Sequence, residues 1–331
     1  QPSAKQFSFK EIEHYREVLR CLRENGIEPV VTLHHFTNPI WFAESGGWLA
    51  GNSVKQFLRY VSVIAEALSN EVTYWATINE PLVYTYHSYI LGNWPPQETS
   101  LYKARKVQNN LARAHIRAYR LIHDIYRKKN LESPMVSIAK NMQPFVPCDY
   151  SLRNRFAAAL RNRCFNFGFL DLLVRHKSLD YIGLNYYTRG LVDTDGWGIY
   201  NLLLDTCTKG HSRLSKNYLG WDIYPAGLYT LLLGLKKYGL PVFILENGIC
   251  TNDDRIRWDY IYEHLKSMHI AIEEGVNVIG YLYWSLMDNF EWDKGFGPRF
   301  GLIEVDYNTY ERKIRESARK FALVCKGSEL E

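Results

Sequence analysis

TINEP (residues 77–81) and ILENG (residues 244–248) each place a glutamate beside an asparagine at the end of an apolar, strand-like run. A turn-forming residue completes each segment, Pro81 in the first and Gly248 in the second. A single glutamate at a strand end usually caps the chain or forms a salt bridge, but a matched pair is harder to explain in that way. We therefore interpret both segments as the ends of buried strands that carry polar chemistry.

Strand-like and helix-like segments alternate along the chain. This alternation indicates βαβ units and a parallel sheet that is buried on both faces. The predicted strands lie near residues 28–36, 73–79, 134–141, 180–187, 241–246 and 277–285. The predicted helices lie near residues 9–25, 53–69, 103–128, 154–174, 225–238, 255–274 and 311–325.

Two arrangements of these units are open, a doubly wound open sheet and a closed (β/α)8 TIM barrel. Long irregular segments follow several strands, and barrel enzymes build their sites from loops at the carboxyl ends of their strands. These segments are 36–52, 81–102, 188–222 and 286–309. The barrel is therefore favoured, as a single domain over residues 1–331. Because eight strands are needed and six are counted, we expect the first two βα units to be missing before residue 1.

The composition predicts a soluble globular protein. Of the 331 residues, 47% are apolar, which is enough for a large core, and no apolar run is long enough to cross a membrane. The net charge of +5 is spread along the chain without a block of like charges, which argues against nucleic acid as a partner. The chain opens without an apolar targeting core, so we expect a cytoplasmic protein.

Neither a metal nor a cofactor is indicated. The six cysteines show no CxxC or Cys/His ligand spacing, so we expect free thiols in a reducing compartment, with neither a zinc site nor a disulfide framework. The adjacent His34 and His35 would point to opposite faces of a strand, so they do not suit one ion. No glycine-rich phosphate loop, HExxH or GxSxG motif is present.

The two glutamates of the opening segments, Glu80 and Glu246, suit glycoside hydrolysis. Both fall at predicted strand ends, which a parallel barrel directs to a common mouth. One carboxylic acid can protonate the leaving oxygen while the other attacks the anomeric carbon, at a separation of roughly 5–5.5 Å for direct attack. The two carboxyl groups must hold different protonation states near neutral pH, one protonated through a raised pKa and the other ionised.

Four segments together resemble the signatures of glycoside hydrolase family 1, the β-glucosidase and β-glycosidase family. They are TINEP, ILENG, GLNYYT at residues 183–188 and YWSLMDNFEW at residues 283–292. The resemblance runs in order along nearly the whole chain. It implies a retaining double displacement through a covalent glycosyl-enzyme intermediate, with Glu80 as general acid/base and Glu246 as nucleophile. Tyr187 resembles the tyrosine that holds the nucleophile in place.

The resemblance also implies the substrate contacts. Aromatic walls with a few polar groups suit a sugar ring, which has apolar C–H faces and a rim of hydroxyls. The family's substrate-binding residues correspond to His35, Asn79, Asn185, Trp284, Glu291 and Trp292. Because relatives that act on 6-phosphorylated sugars replace the carboxylate at Glu291, its presence implies unphosphorylated β-glucosides, with β-galactosides or β-fucosides as secondary substrates.

Two alternatives stay open at this point. A catalytically inactive glycosidase-like module would bind sugars or proteins, and a transglycosylase would use the same residues with a sugar acceptor in place of water. The expected partner is a small β-glycoside or oligosaccharide, with no nucleic acid and no membrane. The oligomeric state is open.

Overall fold

The computed structural model describes residues 1–207 and 212–327. The strands in these ranges are β1 (Val30–Thr32), β2 (Tyr74–Asn79), β3 (Met135–Asn141), β4 (Phe145–Pro147), β5 (Ile182–Tyr186), β6 (Gly190–Val192), β7 (Val242–Asn247), β8 (Val278–Tyr283), β9 (Ile303–Val305) and β10 (Arg312–Ile314).

The helices in the same ranges are α1 (Phe9–Glu24), α2 (Ile40–Glu44), α3 (Ser53–Leu68), α4 (Pro81–Tyr86), α5 (Leu101–Lys128), α6 (Leu152–Arg161), α7 (Gly168–Arg175), α8 (Ile199–Leu204), α9 (Pro225–Leu235), α10 (Asp254–Glu273) and α11 (Glu316–Gly327). Short 3-10 helices lie at Gly47–Leu49, Lys236–Tyr238 and Trp292–Lys294, and π-helical turns at His87–Leu91 and Asn162–Phe167. Within the two described ranges, no helix has both the length and the apolar character that a membrane span requires.

Six strands form one sheet in the order β1-β2-β3-β5-β7-β8. The pairs β1–β2, β2–β3 and β7–β8 are parallel. Apart from the short strands β4 and β6, which pair with each other, this order follows the chain without a reversal. A doubly wound sheet reverses its strand order at a switch point, whereas consecutive βα units of a barrel do not. The fold is therefore that of the (β/α)8 barrel class, and the open-sheet alternative is wrong.

The chain divides into two compact units. Unit 1 comprises Gln1–Lys140 and Phe169–Gly183, and unit 2 comprises Asn141–Gly168 and the described residues from Leu184 onward. Strands β1 and β2 and most of β3 belong to unit 1, whereas β7 and β8 belong to unit 2. The single domain over residues 1–331 stays a prediction.

The helix pairs of each unit bury one apolar stripe. In unit 1, α3 packs against α5. Val61 and Ala65 of α3 are fully buried, as are Leu111 and Ala114 of α5. Spacings of four and three residues place such pairs on one face of a helix, which is the pattern the sequence shows. In unit 2, α9 packs against α10 in the same manner.

Two predicted helices differ from the structure. The last one was expected near 311–325, but Arg312–Ile314 form β10, which pairs antiparallel with β9, and α11 begins at Glu316. Residues 154–174 contain a π-helical turn instead of one continuous helix. In that turn, the side-chain amides of Asn162 and Asn166 donate to the carbonyls of Phe145 and Gln143 at 2.9 and 2.8 Å. Long-range pairing and side-chain hydrogen bonds override helical periodicity in both places.

The expectation of six free thiols is wrong for one pair. Cys148 and Cys207 form a disulfide with Cα atoms 6.4 Å apart, whereas Cys21, Cys164, Cys250 and Cys325 are free. The amide of Cys148 donates to the carbonyl of Val192, and the amide of Cys207 donates to that of Leu191. Strand β6 therefore brings the two cysteines together, which no sequence spacing could reveal. This pair gives no support to a reducing compartment, and the cytoplasmic location stays a prediction.

The disulfide should stabilise unit 2 against unfolding. It closes a loop with a sequence separation of 59 residues, for which chain entropy gives up to about 4 kcal/mol. We expect the double variant Cys148→Ser/Cys207→Ser to lose a free energy of unfolding of this order in urea denaturation. The exposed free thiol at Cys164 offers the control Cys164→Ser. Equal urea midpoints for the double variant and the control would contradict the prediction.

Buried histidines should make the fold sensitive to acid. Burial lowers the pKa of His115 to about 4 and that of His264 to about 3, both below the ordinary value of 6.5. The contribution of each neutral histidine to the free energy of unfolding is therefore fully present above pH 6.5. It is lost as the pH falls towards 4 for His115 and 3 for His264, by on the order of 3 kcal/mol for each residue. We expect His264→Gln to flatten the dependence of the free energy of unfolding on pH, measured by urea denaturation between pH 7.5 and 4.

The exposed His14 provides the matched control, because His14→Gln changes a histidine that folding does not bury. We expect this variant to keep the wild-type pH slope. A slope in His264→Gln that equals the wild-type slope would show that the buried imidazole does not drive acid unfolding.

Candidate active site

The main-chain ladder of unit 1 extends beyond β2 to the candidate acid. The amide of Asn79 donates to the carbonyl of His34 at 2.8 Å, and the amide of Glu80 donates to that of Ala139 at 2.7 Å. Glu80 then adopts a left-handed conformation with φ 43° and ψ 59°, and Pro81 begins α4. A left-handed backbone at a non-glycine residue is strained, and such strain is concentrated at functional sites. With its backbone held in this way, Glu80 is only 7% exposed.

His35 and Asn79 form a polar pair beside Glu80. The Asn79 side-chain nitrogen and His35 Nε2 lie 3.0 Å apart. Burial lowers the pKa of His35 to about 4, so the ring is neutral near pH 7. Since the amide nitrogen can only donate, Nε2 accepts and the ring proton lies on Nδ1. The pair therefore presents fixed donors and acceptors without a net charge, which suits sugar hydroxyls.

His34 has an environment separate from that of His35, although both residues lie after the end of β1 and not in the predicted strand. Its Nε2 lies 3.1 Å from the side-chain oxygen of Asn38, and its ring makes edge contacts with Trp48 and Tyr84. In the described part of the chain, no group of three or more His, Cys, Asp or Glu side chains could hold a metal ion.

Aromatic side chains also gather in the loops of unit 1. The rings of Phe36 and Trp94 lie 4.9 Å apart, and Trp94 stacks on His87 at 4.5 Å. Phe36 has a positive φ of 66°, like Glu80. No sequence motif pointed to Trp94 or His87, although the NWPP segment around Trp94 is a turn signal within a long loop.

In unit 2, Tyr187 holds the candidate nucleophile. Its hydroxyl donates to Glu246 Oε2 at 2.6 Å. A hydrogen bond of this length to a carboxylate is charge-assisted and favours the ionised form. The ring of Tyr187 makes edge contacts with Trp221 at 5.9 Å and Phe300 at 6.3 Å, and these contacts help to fix the phenol.

Asn247 sets the position of the preceding Glu246. Its buried amide nitrogen donates to the carbonyl of Tyr186 at 2.7 Å, and its oxygen accepts from the hydroxyl of Tyr281 at 2.8 Å. These bonds join the ends of β5, β7 and β8. A β-carbon on the next residue, Gly248, would lie 1.8 Å from the carbonyl oxygen of Trp284, so only glycine fits there. In the segment ILENG, packing and hydrogen bonding therefore require Gly248 and Asn247, while Glu246 supplies the carboxylate.

The remaining candidate residues of unit 2 lie at or after the strand ends. Asn185 in β5 is fully buried, and its carbonyl accepts from the amide of Met142 at 3.0 Å. The amide of Trp284 donates to the carbonyl of Asn247 at 2.9 Å. Trp284 therefore lies next to the ILENG segment, beyond the last residue of β8.

A buried carboxylate braces the loop that carries Glu291 and Trp292. Asp288 pairs with Arg315 at 3.0 Å and with Arg299 at 3.3 Å, and it accepts from the amide of Gly301 at 2.8 Å. Glu291 closes a short turn through its amide, which donates to the carbonyl of Gly295 at 2.8 Å. The bracing role of Asp288 could not be read from the sequence, because its two arginines come from separate places in the chain.

The candidate residues thus fall into two sets. His35, Asn79 and Glu80 belong to unit 1, whereas Asn185, Tyr187, Glu246, Trp284, Glu291 and Trp292 belong to unit 2. The separation of the two candidate carboxylates, Glu80 and Glu246, stays a prediction.

Comparison with known proteins identifies the family. The family model described as "Glycosyl hydrolase family 1" matches residues 3–175 and 170–329 of the sequence. A β-glycosidase structure from Pyrococcus horikoshii is similar to the chain with a TM-score of 0.92 and 39% identity, covering 99% of this chain and 78% of that one. A β-galactosidase from Sulfolobus acidocaldarius is 33% identical over 93% of this chain and 68% of its own length.

A plant relative is much longer than this chain. The chloroplastic galactolipid galactosyltransferase SFR2 of Arabidopsis thaliana is 31% identical over 98% of this chain. The chain spans about half of that relative's length, 51%. The family match covers nearly all of this sequence, and the strand order agrees with it. The chain therefore belongs to glycosyl hydrolase family 1.

Proposed function

We propose that the chain hydrolyses unphosphorylated β-glycosides, with β-glucosides as the preferred class and β-galactosides or β-fucosides as secondary substrates. The hydrogen bond from Tyr187 to Glu246 carries the proposal, because it orients one carboxylate at a strand end and favours its ionised form. Among the relatives, the Sulfolobus β-galactosidase and the Pyrococcus β-glycosidase support this substrate class.

The proposed reaction proceeds in two displacements. Ionised Glu246 attacks the anomeric carbon, and Glu80 gives its proton to the leaving oxygen, so that the glycosidic bond breaks as the ester bond to Glu246 forms. Glu80, now ionised, takes a proton from water. That water attacks the anomeric carbon, the ester bond breaks, and Glu246 is released as a carboxylate. Two inversions retain the anomeric configuration.

The surrounding residues supply binding energy for this reaction. The neutral pair of His35 and Asn79 would contact sugar hydroxyls, and these contacts should strengthen as the oxocarbenium-like transition state forms. Glu291, Trp284 and Trp292 would complete the pocket with a carboxylate and flat apolar faces.

Glycosyl transfer is a second candidate. The Arabidopsis relative is named a galactosyltransferase, and a sugar hydroxyl in place of water would complete the same second step. Product analysis separates the two activities. Release of free monosaccharide in step with the aglycone indicates hydrolysis, whereas elongated glycosides that form at the expense of free sugar indicate transfer.

Substitution of the nucleophile tests the proposal directly. We expect Glu246→Ala to lose at least about 10³-fold of kcat on an aryl β-glucoside, because the covalent step cannot form. Added azide should restore turnover and give the α-glycosyl azide, whereas azide with Glu80→Ala should give the β-glycosyl azide. Glu132→Ala removes an exposed glutamate and should leave the rate unchanged. If the unsubstituted chain releases no aglycone from a panel of aryl β-glycosides, the proposed hydrolysis is wrong. A catalytically inactive module that binds sugars or proteins then becomes the favoured function.

The Tyr187 hydroxyl should matter for the rate and not for the fold. A hydrogen bond to a charged group contributes about 1.5–3 kcal/mol, so we expect Tyr187→Phe to lower kcat by about 10- to 100-fold. The exposed Tyr218 offers the control Tyr218→Phe, which should keep the wild-type rate. Steady-state kinetics on one aryl β-glucoside, with thermal melting of both variants, makes the comparison. A wild-type kcat for Tyr187→Phe would contradict the proposed role of the hydrogen bond between Tyr187 and Glu246.

A further inference from the structure

A lysine is buried in the strand next to the candidate acid. Lys140 lies near the end of β3 and is 0% exposed. The residue before it, Ala139, pairs with Asn79 in the parallel register and accepts the hydrogen bond from the Glu80 amide. Because a buried ammonium costs several kcal/mol without an anionic partner, a lysine at this position needs a physical reason.

The negative charge of Glu80 offsets part of this cost. Burial lowers the pKa of Lys140 from 10.5 to about 7, and the negative charge of Glu80 acts in the opposite direction. By linkage, the ammonium of Lys140 must favour the ionised form of Glu80 to the same extent. The two groups are therefore one coupled pair.

Three other titratable residues of unit 1, Asp180, His115 and His35, have hydrogen-bond partners of their own. Asp180 accepts from Tyr119 and from the amide of Val136, at the opposite end of β3. His115 is held between Thr77 Oγ1 and the carbonyl of Ser178, and its pKa is lowered to about 4, so it carries no charge near pH 7. His35 is neutral for the same reason.

We propose that Lys140 is a positioning residue that sets the protonation of Glu80 during turnover. This inference rests on the proposed function. In the first displacement Glu80 must hold a proton, and in the second it must be ionised and accept one from water. The ammonium of Lys140 opposes an excessive rise of the Glu80 pKa in the buried site. It thereby favours the base form that the second displacement needs.

The pH profile of kcat/KM tests the inference, because its alkaline limb reports the pKa of the general acid, Glu80, in the free enzyme. Lys140→Met replaces the ammonium with an unbranched apolar side chain, which a buried site accepts. We expect the alkaline limb of this variant to move up by about one to three pH units. Lys140→Arg retains the charge and should return the limb towards the wild-type pH. Lys129→Met changes a lysine outside this site, at the end of α5, and should leave the limb in place.

The reactivity of the leaving group adds a second readout. A dinitrophenyl glycoside needs no acid for the first displacement, so with this substrate the second displacement limits the rate. We expect Lys140→Met to lower kcat for the dinitrophenyl glycoside, because less Glu80 base is available near neutral pH. A general loss of structure would instead lower the rates on all substrates equally, without moving the alkaline limb.

A titration that needs no activity keeps the inference testable if Lys140→Met does not fold. With lysines labelled with ¹³C at Cε, NMR should show one resonance, absent from the Lys140→Arg spectrum, that titrates near pH 7 in the unsubstituted chain. In Glu80→Gln the same resonance should titrate at a lower pH. An unchanged midpoint in Glu80→Gln, or an unchanged alkaline limb in a folded and active Lys140→Met, would overturn the role of Lys140. An unsubstituted chain with no glycosidase activity would instead overturn the proposed function.

Discussion

Backbone pairing of parallel strands is the constraint on which the candidate site depends. The ladder does not stop at the last regular strand residue, because the amides of Asn79, Glu80 and Trp284 still donate to carbonyls of neighbouring strands or strand ends. The side chains that follow are therefore attached to a rigid edge and not to a free loop. Catalytic groups need such placement, since small displacements reduce the benefit of orientation.

Once the backbone is fixed, burial decides which polar groups carry charge. His35 is kept neutral by desolvation, so it can accept a hydrogen bond from Asn79 at physiological pH. Glu246 accepts a hydrogen bond from the hydroxyl of Tyr187, which favours its carboxylate form. Lys140 and Glu80 are both buried, and the charge of each offsets part of the desolvation cost of the other. In the proposed mechanism, the neutral His35, the carboxylate of Glu246 and the protonation of Glu80 all depend on how burial and nearby hydrogen bonds favour one charge state.

Some acidic and amide side chains serve the scaffold and not the sugar. Asp288 lies in the same sequence segment as Glu291, yet it pairs with two arginines and braces the loop. Asn247 lies beside Glu246, yet it binds backbone and tyrosine hydroxyls. Short motifs therefore mix residues of both kinds, because a side chain aimed at a substrate needs a neighbour that holds its backbone still.

Local sequence signals were enough to predict the alternation of strands and helices, the family and the candidate residues. Periodicity and turn residues are local signals, and the Glu-containing motifs are short enough to read directly. Four features became visible only in the folded chain: the sequential strand order, the Cys148–Cys207 disulfide, strand β10 in place of the start of the last helix, and the buried position of Lys140 beside Glu80. Each of these depends on contacts between residues that are distant in the chain, and such contacts leave no spacing or composition signal.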